Sequence, residues 1–100
     1  MVKLVVVYGH PEDPAAFEKY YAETHLPIAG QIKGVSKVEL TKFIGTPDGQ
    51  KASNYRMAEV YFPTLDELQK QMGSAEGQAA VNDLANFATG GADASVAEVG

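Results

Sequence analysis

Apolar, largely β-branched residues run almost unbroken from Val2 to Tyr8 ("VKLVVVY"). This is the pattern of a central strand buried on both faces rather than one that alternates inward and outward. "GHPEDP" interrupts it, and Asp13 followed by Pro14 is the pair expected at the N-cap and first position of a helix. At about 100° per residue, Phe17, Tyr21, Thr24 and Ile28 share one face of that helix, with Tyr20 and His25 on opposite flanks. Pro27 marks its expected regular end, because the residue before a proline is pushed away from helical angles. Further on, Val38 and Leu40 alternate with Lys37, Glu39 and Thr41 as in a strand, and "TPDGQKASN" supplies turn chemistry. "YRMAEVYF" reads as the third strand, with Ala58, Val60 and Phe62 on one side and Met57, Glu59 and Tyr61 on the other. Thr64 and Glu67 form a capping-box pattern opening a short helix to about Met72. Ser74 can cap another, along which Gly77, Ala80, Leu84 and Phe87 fall at helical spacing, and "ASVAEV" closes the chain as a last strand.

The order strand, helix, strand, strand, helical segment, strand is the split βαβ arrangement. It predicts an α+β, ferredoxin-like βαββαβ sandwich with a four-stranded antiparallel sheet covered on one face by helices. No repeat, linker or low-complexity tract divides the chain, so residues 1–100 are expected to form a single domain. A chain of this size buries only about two-thirds of its unfolded surface. An uncovered sheet face with strand one apolar on both sides would leave an apolar patch. Face-to-face pairing of two sheets in a homodimer is the expected remedy.

Composition narrows the partners. Eight basic residues against thirteen acidic ones give a formal charge of −5 with no Lys/Arg cluster, which argues against nucleic acid. With no cysteine there is no disulfide framework, thiolate metal site or cysteine nucleophile. The opening apolar run is far too short for a membrane span or a secretory segment, so a soluble, cytoplasmic protein without membrane association is expected.

A helix-covered sheet can leave a cleft between the first helix, the last helix and the inner sheet surface, where small ligands bind. Tyr21 and His25, one helical turn apart, project toward one end of such a cleft, and Tyr8 at the end of strand one reaches the same end. They offer an imidazole that titrates near neutrality and phenolic hydroxyls that can hold a carbonyl or phenolate oxygen. Equally, His25 can serve the helix end, interacting with the last carbonyls and the helix dipole. Tyr20, adjacent to Tyr21, cannot line the cleft alongside it. Asp83 faces either cleft or solvent, Arg56 either stands over the cleft or pairs with a carboxylate, and Phe17 and Phe87 read as core. Glu59 reads as an interface residue. His10 and His25 have no metal-ligand spacing, and no metal site is expected.

Two runs carry a more specific signal: "PEDPAAFEKYYAETHLPIAGQIKGV" from Pro11 to Val35, and "AEVYFPTLDELQKQMGSAEGQAAVNDLANFATGG" from Ala58 to Gly91. They closely resemble the EthD family of dimeric α+β barrel proteins, whose namesake is encoded beside a haem-dependent monooxygenase system for fuel-ether degradation. The resemblance implies a ferredoxin-like protomer and a homodimer with sheets packed back to back. Family descriptions often carry the label oxidoreductase, yet the chain has no haem, flavin or nicotinamide signature, and no cofactor is expected. Relatives with the same barrel, among them lactone isomerases, polyketide cyclases and small quinone-forming monooxygenases, act without one. In a methylmuconolactone isomerase of this type a histidine near the end of helix one belongs to the active site, and His25 falls at the matching place. That enzyme's strand-three cysteine is matched here by Val60, and the histidine that cyclases carry near the start of the last helix has no counterpart between Ser74 and Gln78. The expectation is a site in which His25 is the general base or acid and Tyr8, Tyr21, Arg56, Val60, Asp83 and Phe87 contact the substrate. That substrate is a small, largely apolar, oxygen-bearing molecule undergoing proton transfer or oxidation linked to ether or aromatic catabolism. The alternative is a non-catalytic binding or accessory protein of an oxygenase system.

Overall fold

The computed structural model describes residues 1–100. Strand β1 spans Val2–Tyr8, followed by α1 (Pro14–Tyr20), a π-helical turn (Tyr21–His25) and α2 (Leu26–Ala29). Then come β2 (Lys37–Lys42), β3 (Arg56–Phe62), α3 (Leu65–Met72), α4 (Ala75–Asp83), a 3-10 turn (Leu84–Asn86) and β4 (Ala92–Glu98). The four strands form one sheet in the order β2-β3-β1-β4, with every neighbouring pair antiparallel. This is the expected ferredoxin-like α+β architecture, with the apolar strand β1 at its centre. In register, Val6 sits between Ala58 of β3 and Ala94 of β4.

The first helix begins as its sequence dictates: the Asp13 side chain accepts from the Ala16 N–H at 3.1 Å and Pro14 starts the first turn. It does not end at Pro27. The rod runs on to Ala29 through the π turn, where the Leu26 N–H reaches the Tyr21 carbonyl instead of the one four residues back. The wider turn relieves the clash between the proline ring and the preceding turn, and proline's missing N–H removes nothing at the start of α2. The inward face then moves on by one residue. Thr24 and Ile28 were the expected core positions, but His25 is the buried residue and His25, Leu26 and Ala29 face the cavity described below.

Thr64 caps α3 by accepting from the Glu67 N–H at 3.2 Å, but the Glu67 carboxylate takes the Gln71 amide instead of turning back, so only half of the capping box forms. Ser74 caps α4 through the Gly77 N–H. A Cβ on Gly77 would stand 2.4 Å from the Gln71 carbonyl, so glycine is needed where α4 starts against the end of α3. Helix α4 stops at Asp83, and Phe87 follows the 3-10 turn rather than continuing the helical face. It is nonetheless buried, in a core formed with Val6, Tyr8, Phe17, Tyr21, Tyr55 and Ala58.

Leu4, Val6, Ala58 and Val60 point toward the helices, so Lys3, Val5, Met57, Glu59 and Tyr61 occupy the opposite face. That face is mixed, not simply apolar. Lys3 pairs with Glu59 at 2.6 Å, Lys37 with Glu39 at 2.9 Å, and both ammonium groups lie over the Tyr61 ring, which they help to bury. No helix is long and apolar enough to cross a membrane.

Candidate functional site

Between the α1–α2 rod, α4 and the inner sheet face lies a cavity of about 350 Å³, within the range of small-molecule sites. Sixteen of its eighteen lining residues are hydrophobic, the others being His25 and Gly30, and no Asp, Glu, Lys or Arg reaches it. The helices leave edge strand β2 partly uncovered: Val38, Leu40 and Val81 line the cavity and are still 52%, 44% and 47% exposed, so its mouth opens there.

His25 is the one strong proton-transfer group on this wall. The π turn seats it on Phe87 at 4.6 Å between ring centroids and nearly parallel to Tyr21 at 5.9 Å. Its Nδ1 lies 2.9 Å from Asp83 Oδ2, and both side chains are buried. The other carboxylate oxygen, Oδ1, accepts from the Tyr20 hydroxyl at 2.6 Å and the Asn86 amide at 3.0 Å. Burial pushes the Asp83 carboxyl up, but the hydrogen bonds from Tyr20, Asn86 and His25 outweigh it and hold the group below its ordinary value. An ionised carboxylate only accepts, so Nδ1 carries the hydrogen and, in a neutral His25, Nε2 is left with the lone pair. The imidazole thus lines an apolar space while a carboxylate holds the ring from behind.

Of the residues singled out from sequence, Tyr8, Tyr21, His25 and Val60 line the cavity, and Asp83 stands directly behind His25. Arg56 and Phe87 do not line it. Arg56 takes the second of its two expected roles, gripping Glu18 through Nε at 2.9 Å and Nη2 at 2.6 Å, with its guanidinium 5.1 Å from the Tyr21 ring centroid. Phe87 packs on His25 and Tyr20 as a wall. Burial raises the Tyr8 phenol well above its usual range, with Tyr21 and Asp83 adding to the effect, so Tyr8 is a donor and not a base.

Tyr20, set aside because it cannot share the Tyr21 face, is a missed member of the site. Asn86 is another, and its position three residues after Asp83 was the local signal available. The Tyr21 hydroxyl is buried with no hydrogen-bond partner, although its ring lines the cavity. Removing an unsatisfied buried hydroxyl spares its desolvation, so Tyr21→Phe is expected to leave stability unchanged or to raise it by about 1 kcal/mol in thermal or denaturant unfolding. A loss of stability would show that the hydroxyl is paired in solution.

A ferredoxin-like sheet with one helix-roofed apolar cavity defines a class of small α+β proteins, and the chain can be placed within it. It belongs to the EthD family: the EthD domain model matches residues 9–91. It is 41% identical over 91 residues to an uncharacterized 11.0 kDa protein encoded in the thcB–thcC intergenic region of Rhodococcus erythropolis, covering 91% of this chain and 87% of that one. The crystal structure of an EthD family protein from Bacillus halodurans superposes with a TM-score of 0.94 at 34% identity, covering 100% of this chain and 99% of that one. Two more distant structures share the fold. A dimeric protein of unknown function and ferredoxin-like fold from Bacteroides fragilis gives a TM-score of 0.67 at 16% identity, covering 98% of this chain and 95% of that one. SnoaB, a cofactor-independent oxygenase from Streptomyces nogalater, gives 0.69 at 14% identity, covering 98% and 91%.

Proposed function

We propose that this protein takes a small, largely apolar, oxygen-bearing molecule into the cavity and moves a proton on it without a cofactor, with His25 as the base. One observation carries the reading: the single imidazole on a wall with no charged side chain is backed by a buried carboxylate that dictates which ring nitrogen carries the hydrogen. In such surroundings a neutral imidazole can take a proton from an acidified C–H or O–H at Nε2 and return it, while Asp83 stabilises the imidazolium that forms. Tyr8, held protonated, is the hydroxyl best suited to hold the ligand's oxygen. That a cofactor-independent oxygenase shares the fold supports this class of chemistry by analogy of fold alone.

The alternative is a binding module that holds the same ligand without transforming it. It is favoured by one feature, the absence of any second charged acid or base on the cavity wall. Incubating the protein with neutral aromatic and alicyclic oxygen compounds, with no cofactor added, and following products by mass spectrometry separates the two. Product formation is expected, whereas saturable binding without product establishes the alternative. Val60→Phe places a larger ring in the cavity and is expected to weaken binding at least tenfold, because overpacking leaves the ligand less room. Unchanged binding by this variant would locate the ligand elsewhere.

The mixed outer sheet face also supports pairing with a second copy, as does the dimeric relative of the same fold. Because Lys3, Glu59 and Tyr61 lie there, that contact would be ionic as well as apolar.

A further inference from the structure

Asp83 lies between two compartments and bonds a residue of each. Its Oδ2 serves His25 on the wall of the main cavity, while Oδ1 is held by Tyr20 and Asn86. These two residues line a separate groove of about 210 Å³ between the start of α1 and the segment after α4, which also includes Glu12, Asp13 and Thr89. Phe87 is the partition. Tyr20 stacks on it at 5.3 Å and 21°, and His25 packs against it at 4.6 Å. The carboxylate thus spans the partition with one oxygen bonded on each side.

We propose that Tyr20 is a positioning residue for His25: from outside the ligand cavity, its hydroxyl locks the Asp83 carboxylate in the rotamer that fixes the imidazole. Without Tyr20, Asn86 would be the one donor left on Oδ1, and no charged side chain lines the main cavity to hold that oxygen in its place. A carboxylate is broadly free to turn about its terminal torsion. Tyr20 and Asn86 make one orientation the satisfied one, and the Phe87 stack holds the Tyr20 ring while they do so. The bond from Tyr20 is also the largest of the hydrogen-bond contributions that keep Asp83 ionised against its own burial. The π turn is what makes the arrangement geometrically accessible. In a regular helix Tyr20 and His25 fall on opposite flanks, but a turn closed five residues apart brings the fifth residue back toward the face of the first. The consequence for catalysis rests on the proposed role of His25, but the positioning itself does not.

The test is therefore made on the ligand-free protein. The chain has only two histidines, so in ¹⁵N-labelled protein the His10 and His25 rings can be followed separately, with His10 as the internal control. His10 bonds the Ala52 carbonyl and has no part in this network. In the native protein His25 is expected as the Nδ1–H tautomer with a slowly exchanging ring proton. Tyr20→Phe keeps the ring that stacks on Phe87 and deletes only the hydroxyl. It is expected to speed exchange of the His25 Nδ1–H at least tenfold and to admit the second tautomer, leaving His10 signals in place. Asn86→Ala is expected to speed it less, by two- to fivefold. Exchange within twofold of native in Tyr20→Phe would overturn the proposal, as would parallel changes at His10, which would mean general loosening. Failure of the proposed function reads differently: either no product forms from any candidate ligand or His25→Ala leaves product formation intact, whatever these exchange rates show.

Discussion

His25→Ala is expected to lower turnover of the cavity's ligand by about 10²- to 10⁴-fold, the range a positioned general base contributes, while the protein stays folded. The reasoning is one of elimination on the cavity wall. Its only other ionisable groups are the phenols of Tyr8 and Tyr21, and burial moves both upward, away from the form that could accept a proton near neutrality. No other group on the wall can take over, and Asp83 is engaged by Tyr20 and Asn86 behind it. Ligand binding is expected to survive, because His25 is only one of eighteen lining residues and sixteen of the others are hydrophobic. Asp83→Asn is expected to cost less than the loss of the imidazole, since an amide oxygen can still accept from Nδ1 but cannot stabilise an imidazolium as a carboxylate does. Kinetics and binding measured side by side check the prediction. Turnover that survives His25→Ala would remove His25 from the chemistry, and loss of binding and turnover in proportion to loss of fold would make it structural.

Glu18→Gln is expected to destabilise the fold by about 2 kcal/mol, a fall in Tm of roughly 10 °C. Glu18 fastens α1 to the sheet by accepting two hydrogen bonds from Arg56 and one from the Tyr55 hydroxyl at 3.0 Å. The Arg56 side chain is only 17% exposed, so the substitution leaves a poorly solvated guanidinium beside a neutral amide. Lys42 also approaches Glu18, but at 4.0 Å and 48% exposed its pair is worth little, and Lys42→Ala is expected to change stability by less than about 0.5 kcal/mol. The pH dependence follows from the same pair. The Arg56 hydrogen bond holds the Glu18 carboxyl below its ordinary value of 4.5, against burial, and Asp83 likewise lies below its ordinary 3.8. Between those ordinary values and the lower folded ones, the unfolded chain binds more protons than the native state. Stability from these groups is therefore fully present above the ordinary values and lost as pH falls through the folded ones. Glu18→Gln should flatten part of the acid limb in unfolding measured from pH 2 to 6. An acid limb of native shape would assign it to other carboxylates.

Much of the architecture was legible because local signals agreed with one another. The unalternating Val2–Tyr8 run became the central strand, Asp13–Pro14 opened the first helix, and Thr64 and Ser74 capped the later ones. The candidate site was only partly legible, and one cause accounts for most of the shortfall. Periodicity assumes a constant turn, whereas the π turn inserts one extra residue and shifts the phase of everything after Tyr21. Read with a constant turn, Thr24 and Ile28 face inward and Tyr20 and His25 diverge. With the shift, His25 and Ala29 turn inward and Tyr20 meets His25 on a common carboxylate. No residue in "YAETH" announces an i→i+5 bond, which depends on packing around it. Asp83 failed differently: an aspartate on a helix flank is usually solvated, and only its three donors, two of them far away in sequence, justify its burial. The outer sheet face reads as an apolar patch from the valines of strand one, with Glu59 of strand three as an interface residue. What that reading lacks is the ion pair that joins the two strands. Those valines are interleaved with a lysine whose partner, Glu59, lies on β3.

The half-exposed rim of Val38, Leu40 and Val81 has a thermodynamic meaning. A core normally finishes itself, and a small domain has little apolar surface to spare. Here the inner layer of the sandwich stops short at edge strand β2, leaving hydrocarbon facing a space the chain does not fill. On the proposed function, a molecule that entered that space would supply the missing layer. Occupancy and folding would then draw on the same buried area, and such a resident would be as much a part of the domain's interior as Phe17 or Phe87.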